Sequence, residues 1–280
     1  MTKDVDVRDF TGDESLIRAV YGLTRWVSRY FDVKIHDLDR IPSEGAALLV
    51  SNHALMAVDT WAFLPELFFQ HGRVPRGMGL RALFELPYVE KFLRDMGMEA
   101  GNRATAVEML RRGEMVVTYP GGARDALKTR AERFNLKWDG RRGFAYVAIQ
   151  SGAPVIPIAG VGPDECFPML LDRGFIPCDR IGMQSHKAPL FIPLARRVPF
   201  DFYVGSPMEP PAVPEGAAEE DVIALADAFA MEVRERTQDL LREGHAHYGG
   251  ARRRTSRRES VRRGLSALGS ALRRTPHSQN

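Results

Sequence analysis

The chain has 280 residues, 44% of them hydrophobic, which is enough for a sizeable core in one large α/β domain or a domain with appendages. Two cysteines, Cys166 and Cys178, cannot build a disulfide framework, no signal-peptide-like region is present, and no apolar run reaches the roughly 18 residues of a membrane span, so a cytoplasmic setting with only peripheral membrane contact is expected. The net charge of +3 is uneven: residues 251–274 hold nine arginines against Glu259, a local +8 that leaves −5 on the rest.

Residues 15–31, SLIRAVYGLTRWVSRYF, place Leu16, Ile17, Val20, Leu23, Trp26, Val27, Tyr30 and Phe31 on one broad apolar face with Arg18, Arg25 and Arg29 at its margin. This predicts an amphipathic helix, packed on its own domain or lying on lipid, and residues 1–32 are read as an N-terminal helix region. The apolar run at residues 46–51 predicts a strand, and SNHALMAVDT (residues 51–60) follows it with a histidine and an aspartate, His53 and Asp59. WAFLPELFF (residues 61–69) reads as a helix, EMVVTY (residues 114–119) as a strand leading into Pro120, Gly121 and Gly122, FAYVAI (residues 144–149) as a helix, and VIPI (residues 155–158) and FDFYV (residues 200–204) as strands.

Strands separated by helices imply an α/β fold: a single domain over residues 33–248 with a mostly parallel central sheet flanked by helices. Sites in such sheets lie at the carboxyl ends of strands, and His53 and PGGARD (residues 120–125) fall just beyond two of them. Residues 249–280 are read as a basic, arginine-rich tail hinged at Gly249 and Gly250. There, Val261, Leu265, Leu268 and Leu272 recur on one helical face, with Arg258, Arg262 and Arg273 elsewhere on it. That pattern suits an anionic membrane surface, which attracts each cation by about 1 kcal/mol. A solvated tail and nucleic-acid binding are the alternatives; nucleic acid is disfavoured because the tail has no aromatic residue to stack on bases.

His53 and Asp59 are six positions apart, about 600° around a continuous helix, so they can meet only across a turn. Taken singly, each has an ordinary reading, a loop histidine and an N-cap aspartate. The order of segments adds to this. SNHALMAVD (residues 51–59), GNR (residues 101–103), YPGGARDA (residues 119–126) and APVIPI (residues 153–158) resemble, in sequence, the four blocks of the glycerolipid (lysophospholipid) acyltransferase superfamily. VPFDFYVGSP (residues 198–207) and a helix within residues 219–243 are similar to that family's closing elements, so the resemblance covers residues 33–243. The family's first block is usually H-x4-D and its third FPEGTR, whereas this chain has H-x5-D, with Gly121 and Ala123 at the glutamate and threonine positions. Together with WDGRRGFA (residues 138–145), these departures look closer to the branch of mono- and diacylglycerol acyltransferases.

The resemblance implies a glycerol-3-phosphate acyltransferase-like fold and transfer of a fatty acyl chain from acyl-CoA or acyl carrier protein, the donor substrate, to a glycerolipid hydroxyl. The acceptor would be a lysophospholipid, lysophosphatidate or a mono- or diacylglycerol, and no cofactor is implied. His53 would be the general base, since imidazole titrates near neutrality, and Asp59 would fix its tautomer. Gly121 and Gly122 would offer backbone N–H groups to an anion or developing oxyanion, and Arg103 and Arg124 would hold a substrate phosphate. Arg141 and Arg142 would add positive potential, while Asp125 has no role assigned. The chain has no G-x-S-x-G elbow, and neither cysteine is marked as a nucleophile, so direct attack without an acyl-enzyme is expected. No metal is expected, because His186, His245 and His247 lack companion ligands at suitable spacing. The competing expectation is a non-catalytic peripheral lipid-binding protein on the same scaffold, its base and orienter separated by the longer H-x5-D spacing.

Overall fold

The computed structural model describes residues 12–79, 81–177 and 187–272. The chain runs α1 (Glu14–Tyr30), β1 (Lys34–His36), β2 (Ala47–Ser51), α2 (Val58–His71), β3 (Arg76–Gly79), α3 (Pro87–Asp95), β4 (Glu99–Ala100), α4 (Arg103–Arg111), β5 (Met115–Thr118), α5 (Gly122–Ala126), α6 (Gly143–Ser151), β6 (Val155–Val161), β7 (Met169–Pro177), β8 (Lys187–Phe191), β9 (Asp201–Val204) and α7 (Glu219–Leu272).

Runs such as ALLVS and VIPIAGV have no polar alternation, so both of their faces must be covered, and every residue of β2 and β6 is buried. They lie near the middle of a seven-stranded sheet of order β1-β9-β6-β2-β5-β3-β4. All its neighbouring pairs are parallel except β6 and β9. This is the expected α/β architecture, a mostly parallel sheet flanked by helices. β7 and β8 form a separate antiparallel hairpin.

The parallel register sets the carboxyl ends of β2, β5 and β6 side by side: Val50 faces Thr118 on one side and Pro157 on the other. Asn52, buried just past β2, extends that pairing with its side chain. Its Nδ2 donates to the Gly160 carbonyl at 2.9 Å and its Oδ1 accepts from the Gly160 N–H at 2.7 Å. The chain is therefore held in place one residue before His53.

Helix α1 is N-capped by Asp13, whose carboxylate accepts the Leu16 N–H at 3.0 Å. It packs on α2, burying Ile17 and Tyr21, and Ser28 Oγ donates to the Ala62 carbonyl at 3.1 Å. Its apolar surface is wider than one neighbour can cover, so the expected single face divides in two: Leu23 and Trp26 remain 75% and 63% exposed.

Helix α7 begins where expected but continues through Gly249 and Gly250, which form no hinge. A helical glycine costs only about 1 kcal/mol relative to alanine, so a pair followed by good helix formers, Ala251 and the arginines after it, need not end a helix. The side chains of the arginine-rich segment up to Leu272 and all of residues 273–280 lie outside the described residues, as do His186 and Cys178.

Candidate active site

After Asn52 the backbone turns sharply. Leu55–Ala57 make one 3-10 turn in which Met56 (φ 57°) and Ala57 (φ 53°) are both left-handed, and α2 starts at Val58. Left-handed non-glycine residues cost about 1–2 kcal/mol each. Here they fold the five intervening residues back on themselves, so that Asp59, in the first turn of α2, returns to His53. Asp59 Oδ2 lies 2.9 Å from His53 Nδ1, and Oδ1 accepts the Ala54 N–H at 3.2 Å. Both carboxylate oxygens are thus committed, with Asp59 only 3% exposed.

The main chain of His53 is held as firmly as its ring. The His53 N–H donates to Asp125 Oδ2 at 2.8 Å, and Asp125, fully buried, also accepts from the Lys137 N–H at 3.0 Å and from Lys128 Nζ at 3.1 Å. Lys128 Nζ then reaches Asp164 Oδ2 at 3.0 Å, in the turn after β6. Against the outer face of the imidazole stacks Tyr119, ring centroids 4.3 Å apart, and its hydroxyl accepts from Thr60 Oγ1 at 3.0 Å.

Charge follows from this packing. Burial disfavours the imidazolium of His53, but the Asp59 charge and hydrogen bond, with Asp125 beyond, outweigh burial and the opposing charge of Lys128, and raise its pKa above the ordinary value. Burial also disfavours charge on Lys128, yet Asp164 and Asp125 hold it protonated. Burial and the nearby Asp59 charge keep the Tyr119 phenol neutral. Burial pushes the Cys166 thiol up to about 12, which favours the protonated thiol.

Gly121 has a packing reason to be glycine. A Cβ on Gly121 would stand 2.3 Å from the Cβ of Asp125 and 2.8 Å from the Lys137 carbonyl oxygen, so only glycine lets Asp125 reach the His53 main chain. Gly122 is left-handed (φ 51°), and its N–H donates to the Tyr119 carbonyl at 2.9 Å. That N–H is thus engaged within the turn. Arg124 pairs with Asp139 at 2.9 Å, is partly exposed and does not line the cavities described below.

Two cavities meet at Tyr119 and Met78, which line both. One, of about 270 Å³, is apolar: His53 opens on it beside Trp61, Leu64, Phe92 and Met96. The other, of about 550 Å³, is a cationic cleft that gathers Arg103, Arg141 and Arg142. Arg103, the first residue of α4, lies 5.6 Å over the Tyr146 ring, and Arg142 is ion-paired with Asp227. Among the described residues Arg103 and Arg141 have no carboxylate partner. The buried Trp138, packed edge-on to Phe144, anchors the loop that presents Arg141 and Arg142. His53 thus lines one cavity with Asp59 buried behind it, Arg103 borders the adjoining cleft, and Arg124 stands apart. Among the described residues, no group of three or more His, Cys, Asp or Glu is placed to hold a metal ion.

Asn52, Tyr119, Lys128 and Asp164 were missed in the sequence. None stands in a spacing that signals chemistry; a buried lysine three residues after an acidic motif position, Asp125, was the one available hint.

Residues 32–161 match the acyltransferase family model. Over that segment, a little under half of its length, the chain is similar to acyltransferases. A human relative named as a DGAT1/2-independent enzyme synthesizing storage lipids is 34% identical over 125 residues, 45% of this chain and 38% of its own. An uncharacterized protein of Mycobacterium tuberculosis is 29% identical over 180 residues, 61% of this chain and 49% of its own. The chain therefore aligns with about half or less of these relatives. The 1-acyl-sn-glycerophosphate acyltransferase PlsC of Thermotoga maritima superposes with a TM-score of 0.46 at 17% identity, over 80% of this chain and 78% of that one.

Proposed function

We propose that the protein is an O-acyltransferase that moves a fatty acyl chain from an acyl thioester, acyl-CoA or acyl carrier protein, to a glycerolipid hydroxyl. The observation that carries this reading is the 2.9 Å contact of His53 Nδ1 with Asp59 on the wall of an apolar cavity. With the Nδ1 proton fixed toward Asp59, the Nε2 lone pair takes the acceptor hydroxyl proton as the oxygen attacks the thioester carbonyl. Collapse of the tetrahedral intermediate breaks the C–S bond, and the departing thiolate takes the proton back from the imidazolium. The pKa of Cys166 fits this direct attack. Alignment of the two substrates in one cavity then supplies much of the rate.

The apolar cavity suits an alkyl chain, and Arg103 and Arg141 in the adjoining cleft suit the phosphates of a donor carrier. Among the described residues no lysine or arginine lines the His53 cavity, which favours a neutral acceptor, a mono- or diacylglycerol, over a phosphate-bearing one. The storage-lipid name of the human relative is in keeping with this.

On this reading residues 33–248 are the catalytic domain and the flanking segments meet the membrane. Among the described residues no helix is long and apolar enough to cross one. The outer stripe of α1, Ala19, Leu23, Trp26 and Tyr30, is exposed. It is tied to a second exposed apolar residue, Leu194, by the Tyr30 hydroxyl donating to the Ala195 carbonyl at 3.0 Å. Trp and Tyr at such a margin suit the headgroup layer, with the arginine-rich tail adding attraction to anionic lipid.

The test is transfer of a labelled acyl group from acyl-CoA and acyl carrier protein to lysophosphatidate, other lysophospholipids, and mono- and diacylglycerol, wild type beside His53→Ala. Product that disappears in a folded His53→Ala variant supports the reading, and the acceptor that reacts names the substrate. An inert wild type with every pairing overturns it in favour of non-catalytic lipid binding.

A further inference from the structure

Lys128 is 2% exposed in its side chain, lies between Asp125 and Asp164, and touches neither cavity described above. An isolated buried ammonium is expensive, and an apolar residue would fill the space at lower cost. Its position explains it. The backbone of His53 is held by a carboxylate, Asp125, that also stands near the ring, while Asp59 already contacts that ring. Asp164 brings a third carboxylate to the cluster. The other ionisable group packed on the imidazole is the phenol of Tyr119, with Tyr21 of α1 on the same cavity. Without a buried cation the ring would face this acidic group unopposed and hold a proton that a base must shed.

We propose that Lys128 is a positioning residue for His53: by neutralising Asp125 from the far side, it lets that carboxylate clamp the His53 main chain without placing a second full negative charge beside the ring. Asp164 holds the ammonium in place, and the turn after β6 is thereby tied to the loops after β2 and β5. The general-base role of His53 rests on the function proposed above, whereas the charge arrangement is independent of it. The directions are fixed by geometry. Asp125 favours the imidazolium and Lys128 opposes it. Removing one therefore moves His53 opposite to removing the other, which loss of packing alone would not do.

The experiment is an NMR pH titration of the His53 ring in the ¹⁵N-labelled full chain, with His53→Gln to assign the signal, for wild type, Lys128→Gln and Asp125→Asn. It needs no substrate, so its outcome is separate from whether acyl transfer is found. The Lys128→Gln midpoint is expected to rise and the Asp125→Asn midpoint to fall, each on the order of one pH unit, as for one buried charge several ångströms away. If Lys128→Gln does not fold, Lys128→Gln/Asp164→Asn is compared with Asp164→Asn, and the same upward displacement is expected. If Asp125→Asn does not fold, the Lys128 comparison decides alone. Midpoints that stay unchanged, or that move in the same direction in both variants, overturn the proposal. Where activity is measurable, Lys128→Gln moves the acid limb of kcat/KM to higher pH and recovers most of its rate in alkali.

Discussion

Replacing Asp59 by Asn tests the orienter with minimal change of shape. The amide oxygen can still accept the Ala54 N–H, now 3.2 Å from Oδ1, but the amide NH2 then faces His53 Nδ1 across the 2.9 Å gap. A donor there forces the proton onto Nε2 and removes the lone pair a base requires. Burial of the site leaves little room for water to restore the arrangement. Loss of about 10²–10⁴ in kcat is expected, equivalent to about 2.7–5.5 kcal/mol. The lost charge-assisted bond costs about 1–3 kcal/mol of stability, so melting must be measured beside single-turnover transfer from labelled acyl-CoA.

The pH dependence has a definite sign. The pKa of His53 is raised above its ordinary value, burial opposing and Asp59 and Asp125 prevailing. The stability this confers is full below the unfolded value, about 6.5, and fades as pH rises through the folded value. Activity runs the other way: kcat/KM falls as pH drops through the folded value. In Asp59→Asn the acid limb of the residual activity shifts to lower pH. Retention of more than about a tenth of wild-type kcat by this variant, with His53→Ala inactive, would refute the orienter.

Three further predictions follow from packing. Gly121→Ala, with a Cβ 2.3 Å from that of Asp125, should lower stability by at least about 1–3 kcal/mol and remove more activity than that loss explains; an unchanged melting curve would contradict the close approach. Ala57→Gly relieves a left-handed alanine (φ 53°) worth about 1–2 kcal/mol at an entropic cost of about 0.5–1 kcal/mol, so urea unfolding should show a net gain of about 0.5–1 kcal/mol. Leu23→Glu/Trp26→Glu should weaken sedimentation with phosphatidylserine-containing vesicles while leaving the melting temperature within a few degrees, because both side chains are more than half exposed. Unaltered vesicle binding would assign any membrane contact elsewhere.

The sequence by itself determined the elements whose apolar pattern is strong. β2, β6 and α2 are runs that can be satisfied only inside a sheet or beneath one, and a parallel sheet follows from strands alternating with helices. It also offered His53 and Asp59, through a place after a strand and, above all, through the resemblance of the surrounding segments to acyltransferase blocks. β3, with two glycines in RGMG, and the two-residue β4 carry no such pattern and form only because neighbouring strands supply hydrogen-bond partners. Tertiary structure alone decided that five intervening residues still bring His53 and Asp59 together, since that depends on two left-handed residues the sequence does not announce. It likewise withdrew Gly122 and Arg124 into a turn and a surface ion pair. And it gathered Asp125, Lys128 and Asp164 behind the histidine from the ends of two different strands, a juxtaposition that exists only once parallel register sets those ends side by side.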